Sequence, residues 1–301
     1  MVQDVDIDIN FRDGRENNLG ISSLERDPRM QDSTGQKFGM EFISVLGQEP
    51  SEFVELAAKV GCSRIGLAPS PISGPLGTDP QWTLRGDRPR IARLKQALAD
   101  HGVKISLGEG FIIMPGRNIA DAEADFDLMA ELGAERLNVC AMDPDPIRNL
   151  EQFSTFGALA AERDMPVTVE FMPATPVPDL AAALAFVEAS TASNASVLVD
   201  AMHFFCSGGT IEELRNVSEN KIGYAQLCDA KQASFYDEYF QDARQERLLP
   251  GLGVLPLADF LHALPPGCPT GLEVPSITSA LAGLPRETRL IQALDAARAL
   301  L

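Results

Sequence analysis

Four short apolar stretches of this chain end in residues that a buried strand normally excludes. VTVEFMP carries Glu170, VLVDAMH carries Asp200 and His203, YAQLCDA carries Gln226, and GLEVP carries Glu273. Side chains alternate across a strand, so Val167, Val169 and Phe171 share one face while Thr168 and Glu170 share the other. By the same parity Leu198 and Asp200 oppose Val197 and Val199. Gln226 opposes Ala225 and Leu227, and Glu273 opposes Leu272. Three carboxylates and an amide therefore converge on one end of consecutive strands. Carboxylates pressed together repel, and a shared site raises the pKa of at least one. A divalent cation removes the conflict, and an oxygen-only donor set favours Mg²⁺ or Mn²⁺. Taken singly, each acid is as readily explained as a helix N-cap or an ion-pair partner. Their common parity on consecutive strands is what points to metal.

The elements that must hold these residues repeat regularly. Strand-like runs fall near 38–46, 63–68, 103–107, 136–140, 166–172, 195–202, 222–229 and 269–274. Between them lie stretches with apolar residues at three-and-four spacing, such as SEFVELAAKVG, read with Ser51 as N-cap, and RPRIARLKQALADHG. Eight strand–helix alternations predict a parallel sheet, and eight units over 38–301 fit a closed (β/α)8 TIM barrel forming a single domain. A doubly wound open sheet is the alternative; no GxGxxG or GxxxxGK[ST] follows the first strand to support it. Residues 1–37 are polar and aperiodic and read as an N-terminal arm. The loop 233–249, ASFYDEYFQDARQERLL, is long enough to close over a pocket or to meet another subunit.

Bulk properties narrow the field. The 301 residues carry a net charge of −18, which repels nucleic-acid phosphates and anionic membranes. No run is long and apolar enough for a membrane span, and the N-terminus lacks the pattern of a secretion signal. Five widely spaced cysteines with no CxxC pair read as reduced core residues, so a cytoplasmic protein is expected.

The constellation Glu170, Asp200-x-x-His203, Gln226 and Glu273 resembles that of the xylose isomerase-like TIM barrel superfamily of sugar phosphate isomerases and epimerases. RLLPGLG (247–253) is similar to that group's Arg and Gly-rich turn between strands seven and eight. Many epimerases carry His at the Gln226 position and an acid inside the Gly turn, where this chain has Leu252. The combination therefore resembles more closely the dehydratase branch, such as 3-dehydroshikimate dehydratases. The resemblance implies one Mn²⁺ or Mg²⁺ on Glu170, Asp200, Gln226 and Glu273. It implies proton removal beside a carbonyl through an enediolate, with Glu170 and Glu273 as acid/base groups and His203 orienting a substrate hydroxyl or shuttling protons. The substrate is expected to be a keto-sugar or related polyhydroxy carbonyl compound, and the assembly a homodimer or tetramer. A keto-glycoside lyase is a variant of the same chemistry.

Arg247 is the best candidate to clamp a substrate carboxylate or phosphate. Glu109, in SLGEGF, is expected to line the pocket with Phe111, and Asp229 to brace Gln226 or the following loop. An endonuclease-type trinuclear zinc site needs more histidines than His101, His203 and His262 provide. A Schiff-base aldolase needs an inward lysine, and of six lysines only Lys104 lies in a strand run. A non-catalytic binding barrel stands behind these, because all four ligand positions keep oxygen donors.

Overall fold

In a computed structural model, the structure describes residues 38–72 and 81–301; the N-terminal arm expected over 1–37 lies outside the described residues. Eight parallel strands close a barrel in chain order. They are β1 (Phe38–Met40), β2 (Arg64–Leu67), β3 (Lys104–Ile113), β4 (Leu137–Ala141), β5 (Val167–Glu170), β6 (Ala195–Asp200), β7 (Ile222–Leu227) and β8 (Thr270–Leu272). The ring closes where β1 pairs with β8, Phe38 against Thr270 and Met40 against Leu272. The (β/α)8 expectation is met.

The covering helices are α1 (Pro50–Lys59), α2 (Arg88–His101), α3 (Glu123–Leu132), α4 (Pro146–Ala161) and α5 (Leu180–Ala189). Then follow α6 (Ala201–Cys206), α7 (Ile211–Arg215), α8 (Tyr239–Gln245), α9 (Leu257–Ala263), α10 (Ile277–Leu281) and α11 (Arg286–Arg298). One cap differs from expectation. Helix α1 starts at Pro50, and Glu49 rather than Ser51 caps it by accepting from the amides of Ser51 and Glu52. Proline suits the first helical turn, since its fixed φ matches the helix and its missing N–H costs nothing there. That moves the start two residues back.

Strand parity decides the two cores. Val167, Val169, Phe171, Val197, Val199, Ala225, Leu227 and Leu272 face outward into the layer between sheet and helices. In that layer Phe111, Phe126 and Phe156 form a triangle with ring centroids 4.9–5.3 Å apart, each pair worth about 0.5–1.5 kcal/mol beyond its area. Inside the ring Leu107, Leu198 and Tyr224 make a separate small cluster. Arg136 lies over the Tyr224 ring, 5.5 Å from its centroid, and donates to the Gly223 carbonyl. Among the described residues no helix is long and apolar enough to cross a membrane, and all five cysteines are free.

Candidate active site

The last residue of β6 explains why an apolar run ends in a carboxylate. Asp200 is the N-cap of α6, and its Oδ1 accepts from the His203 amide at 2.9 Å. The Asp-x-x-His spacing is thus the spacing of an N-cap and the third helical residue, and it turns the His203 ring back toward the strand ends. His203 Nε2 lies 3.3 Å from Glu170 Oε1, and Nδ1 lies 3.7 Å from Asp200 Oδ1. One donor atom each from Glu170, Asp200 and His203 falls within 4.8 Å of the others, a set able to hold a metal ion. Asp200 therefore serves as both helix cap and site carboxylate.

Tyr239, fully buried on α8, places its hydroxyl 2.6 Å from His203 Nδ1. With the proton on Nε2, Nδ1 accepts from Tyr239. For Nε2 to ligate a cation, the proton moves to Nδ1 and Tyr239 becomes the acceptor. Asn138 Nδ2 donates to Glu170 Oε2 at 2.7 Å and fixes that carboxylate's rotamer from β4.

Arg247 lies buried rather than projecting toward an open pocket. Its Nη1 donates to Asp200 Oδ2, its Nη2 lies 2.9 Å from Glu273 Oε2, and its Nε donates to the Ala243 carbonyl at 2.7 Å. Burial alone would raise the Asp200 carboxyl, but Arg247, His203 and the His203 amide outweigh it and hold the group at about 2. Glu273 goes the other way. Burial, with the charges of Asp200, Glu170 and Glu41, lifts it well above the usual carboxylate range against the pull of Arg247. Two carboxyls on one guanidinium thus take opposite protonation tendencies.

A further acid completes the cluster, and the sequence reading passed over it. Glu41 follows β1, extends the ladder through its amide to the Leu272 carbonyl at 2.9 Å, and buries its side chain inside the barrel. Tyr224 donates to its Oε1 at 2.7 Å, and Ser106 lies 3.1 Å from the Tyr224 hydroxyl. Gly66 and Gly271 make the room, since a Cβ at either would overlap a Glu41 oxygen. Burial pushes Glu41 up to about 7, eased by Tyr224. Glu109 is buried too, and burial together with Glu41 and Glu273 holds it well above its ordinary value. Gln226 donates from Nε2 to Glu109 Oε1 at 3.3 Å. The structure therefore brings Glu170, Asp200, His203, Gln226, Glu273, Arg247 and Glu109 to one end of the barrel.

The loops after β7 close this end. Asp229 accepts from the amides of Ala230, Gly251, Gly253 and Leu255 at 2.9–3.0 Å, so it braces the PGLG turn. A Cβ on Gly253 would overlap Asp229, which is why that turn needs glycine there. Lys231 pairs with Asp242 at 3.0 Å, and Tyr236 donates to the same carboxylate. A groove of about 590 Å³ lined by Asp179, Leu184, Gly208 and Lys221 lies outside the barrel and touches none of the clustered acids. Chemistry, not volume, marks the site.

A profile of the xylose isomerase-like TIM barrel family matches residues 54–300. Several solved structures share the architecture. One is the IolI protein with a zinc atom, 16% identical, with a TM-score of 0.71 over 88% of this chain and 98% of that one. A probable 3-DHS dehydratase, AsbF from Bacillus anthracis, is 14% identical with a TM-score of 0.68 over 85% and 98% of the two chains. D-psicose 3-epimerase from Clostridium cellulolyticum H10 is 15% identical with a TM-score of 0.65 over 88% and 99%. At these identities the likeness is one of fold. No curated protein matches the chain significantly.

Proposed function

The chain belongs to the xylose isomerase-like TIM barrel family, and from that premise we propose that it is a divalent-metal-dependent isomerase, epimerase or dehydratase of a keto-sugar or related polyhydroxy carbonyl compound. The observation that carries the reading is the convergence of Glu170, Asp200 and His203 beside the buried acid Glu273. These residues fit a cation. Buried acceptor oxygens on Glu41, Glu109 and Gln226 have no hydrogen-bond donor, and the carboxylates here outnumber the one buried guanidinium. Glu170, Asp200 and His203 would hold the ion, with Gln226 and Glu273 at the same strand ends. When bound, a divalent ion supplies Lewis acidity to the substrate's carbonyl and hydroxyl oxygens. Manganese and magnesium suit the carboxylates, and the imidazole admits zinc as well.

The protein's own groups divide the proton work. Glu170, half-buried and held by Asn138, takes the proton from the carbon beside the carbonyl. Glu273, whose carboxyl burial holds well above the usual carboxylate range against the pull of Arg247, is the group placed to deliver a proton. Returned to carbon, that proton completes isomerisation or epimerisation; delivered to a β-hydroxyl, it releases water. Tyr239, bound at Nδ1, would hold the His203 ring with Nε2 presented to the ion. The burial of Tyr239 and Arg247 over the strand ends excludes water from the reacting carbon. An excess of carboxylates around the single Arg247 favours an uncharged substrate over a phosphate or carboxylate. Dehydration is the second reading, supported by Gln226 at a position where many epimerases carry His.

Mass spectrometry in D₂O tests the chemistry without knowing the product. Metal-loaded protein is incubated with a panel of ketoses, inosose and dehydroshikimate. One carbon-bound deuteron gained, or one water lost, is expected for at least one compound, and neither with Glu170→Gln or Glu273→Gln. No exchange across the panel by fully loaded protein would overturn the reading.

A further inference from the structure

The neighbouring strand holds Glu170 by one oxygen only. Asn138 Nδ2 donates to Oε2 at 2.7 Å and the Cys140 thiol donates weakly to the same atom at 3.7 Å, while Oε1 faces His203 Nε2 at 3.3 Å. Both holding groups come from β4, where Asn138 stands opposite Thr168 and Cys140 opposite Glu170. The Asn138–Thr168 rung lies two residues nearer the N-terminal end of the strands, on the same inward face.

An amide presents a donor on one side and an acceptor on the other, so its function depends on which way round it sits. Turned over, Asn138 would set its Oδ1 against Glu170 Oε2, and two acceptors repel. Thr168 is the residue that decides. Its Oγ1 lies 2.9 Å from Asn138 Oδ1 and 3.4 Å from the Leu137 carbonyl. A hydroxyl has one proton, and the shorter contact takes it. Donation therefore runs one way, from Thr168 through the Asn138 amide to Glu170. Thr168 is 1% and Asn138 5% exposed, so bulk water does not replace the hydroxyl. The rotamer of Thr168 is fixed in turn. Its Cγ2 methyl lies against Gly223 of β7, where a Cβ would come within 3.1 Å of it, and a β-branched side chain has little χ1 freedom.

We propose that Thr168 is a positioning residue that acts through Asn138: its hydroxyl sets the amide, the amide holds Glu170 Oε2, and Oε1 is thereby turned toward His203. Resting on the metal reading proposed above, this makes Oε1 the oxygen offered to the ion and Oε2 the oxygen kept off it. Valine at 168 would keep the methyl against Gly223 and lose only the hydroxyl, so a role in packing alone would leave Glu170 and its ion undisturbed.

The test reads the amide and the ion separately. In the side-chain amide NMR spectrum of chelator-treated protein, assigned with Asn138→Ala, Asn138 is expected to show one proton shifted downfield and protected from exchange by the carboxylate. Thr168→Val should abolish that protection and Thr168→Ser restore it. In Mn²⁺ calorimetry, affinity should fall about tenfold in Thr168→Val and about 10–100-fold in Asn138→Ala, and return in Thr168→Ser. Adding Thr168→Val to Asn138→Ala should change nothing further. An Asn138 signal untouched by Thr168→Val would overturn the proposal. So would an affinity unmoved by Thr168→Val in protein whose Mn²⁺ site needs Glu170, or an equal loss with and without Asn138. An amide that responds as expected in protein whose Mn²⁺ isotherm ignores Glu170→Gln would uphold the positioning of Glu170 while removing the metal reading, so the two ideas fail separately.

Discussion

Arg247→Met in metal-free protein isolates the one buried cation on which the strand-end carboxylates lean. The substitution keeps most of the side-chain volume but removes the donors to Asp200 Oδ2 and the Ala243 carbonyl, and the charge 2.9 Å from Glu273 Oε2. Deleting one partner of a buried ion pair costs about 3–5 kcal/mol, because the other charge stays buried without compensation. In a chain of this size that lowers Tm by roughly 6–20 °C, at about 2–4 °C per kcal/mol. The pH dependence sharpens the expectation. Asp200 has a folded-state pKa of about 2 against 3.8, so it contributes about 2 kcal/mol that is present above 3.8 and lost as pH falls toward 2. The variant lacks most of that contribution. Its deficit should therefore be full at neutral pH and shrink as acid protonates Asp200. Mn²⁺ should also narrow the gap by supplying the missing positive charge. Thermal melts of both proteins, with chelator and with Mn²⁺, measure it. A variant within about 1 kcal/mol of wild type in chelator at neutral pH would refute the argument that Arg247 neutralises these acids.

Other perturbations read the rest of the cluster. Glu41 is an acid whose pKa rises on folding, from 4.5 to about 7, so the native state holds its proton more tightly. Its contribution of about 3 kcal/mol is complete below 4.5 and lost as pH climbs to about 7, which denaturant melts of chelated protein across that window will show. Gly271→Ala places a Cβ against Glu41 Oε1 and should destabilise the protein by about 1–3 kcal/mol; Glu41→Ala in the same chain should recover most of that loss in a double-mutant cycle. Asp229→Ala strips four backbone amides of their acceptor, and limited proteolysis should find cleavage between residues 247 and 255 that wild type resists.

The barrel was legible because its strands and helices alternate with different periods, and parity in VTVEF, VLVD and GLEV already placed their acids inside. The same rule applied to FGMEF would have found Glu41, since Met40 faces the helices. It was missed because residues 38–46 read as one apolar run, whereas β1 stops at Met40 and a short 3₁₀ turn begins at Phe42. The DxxH spacing was visible, but its cause, a helix cap at Asp200, shows only once the strand is seen to pass directly into α6. The buried partners of Arg247, read from the sequence as a substrate clamp, and the whole role of Tyr239 lay beyond reach for another reason. Each residue meets its partner across more than thirty residues of chain through a loop whose path no local periodicity sets.

The proposed chemistry requires a metal ion at Glu170, Asp200 and His203. Calorimetric titration of Mn²⁺ into chelator-treated wild type and Glu170→Gln tests it most directly. The variant is expected to lose one binding event, with affinity at that site down by about 10–100-fold or more. An isotherm for Glu170→Gln that overlays the wild type would contradict it.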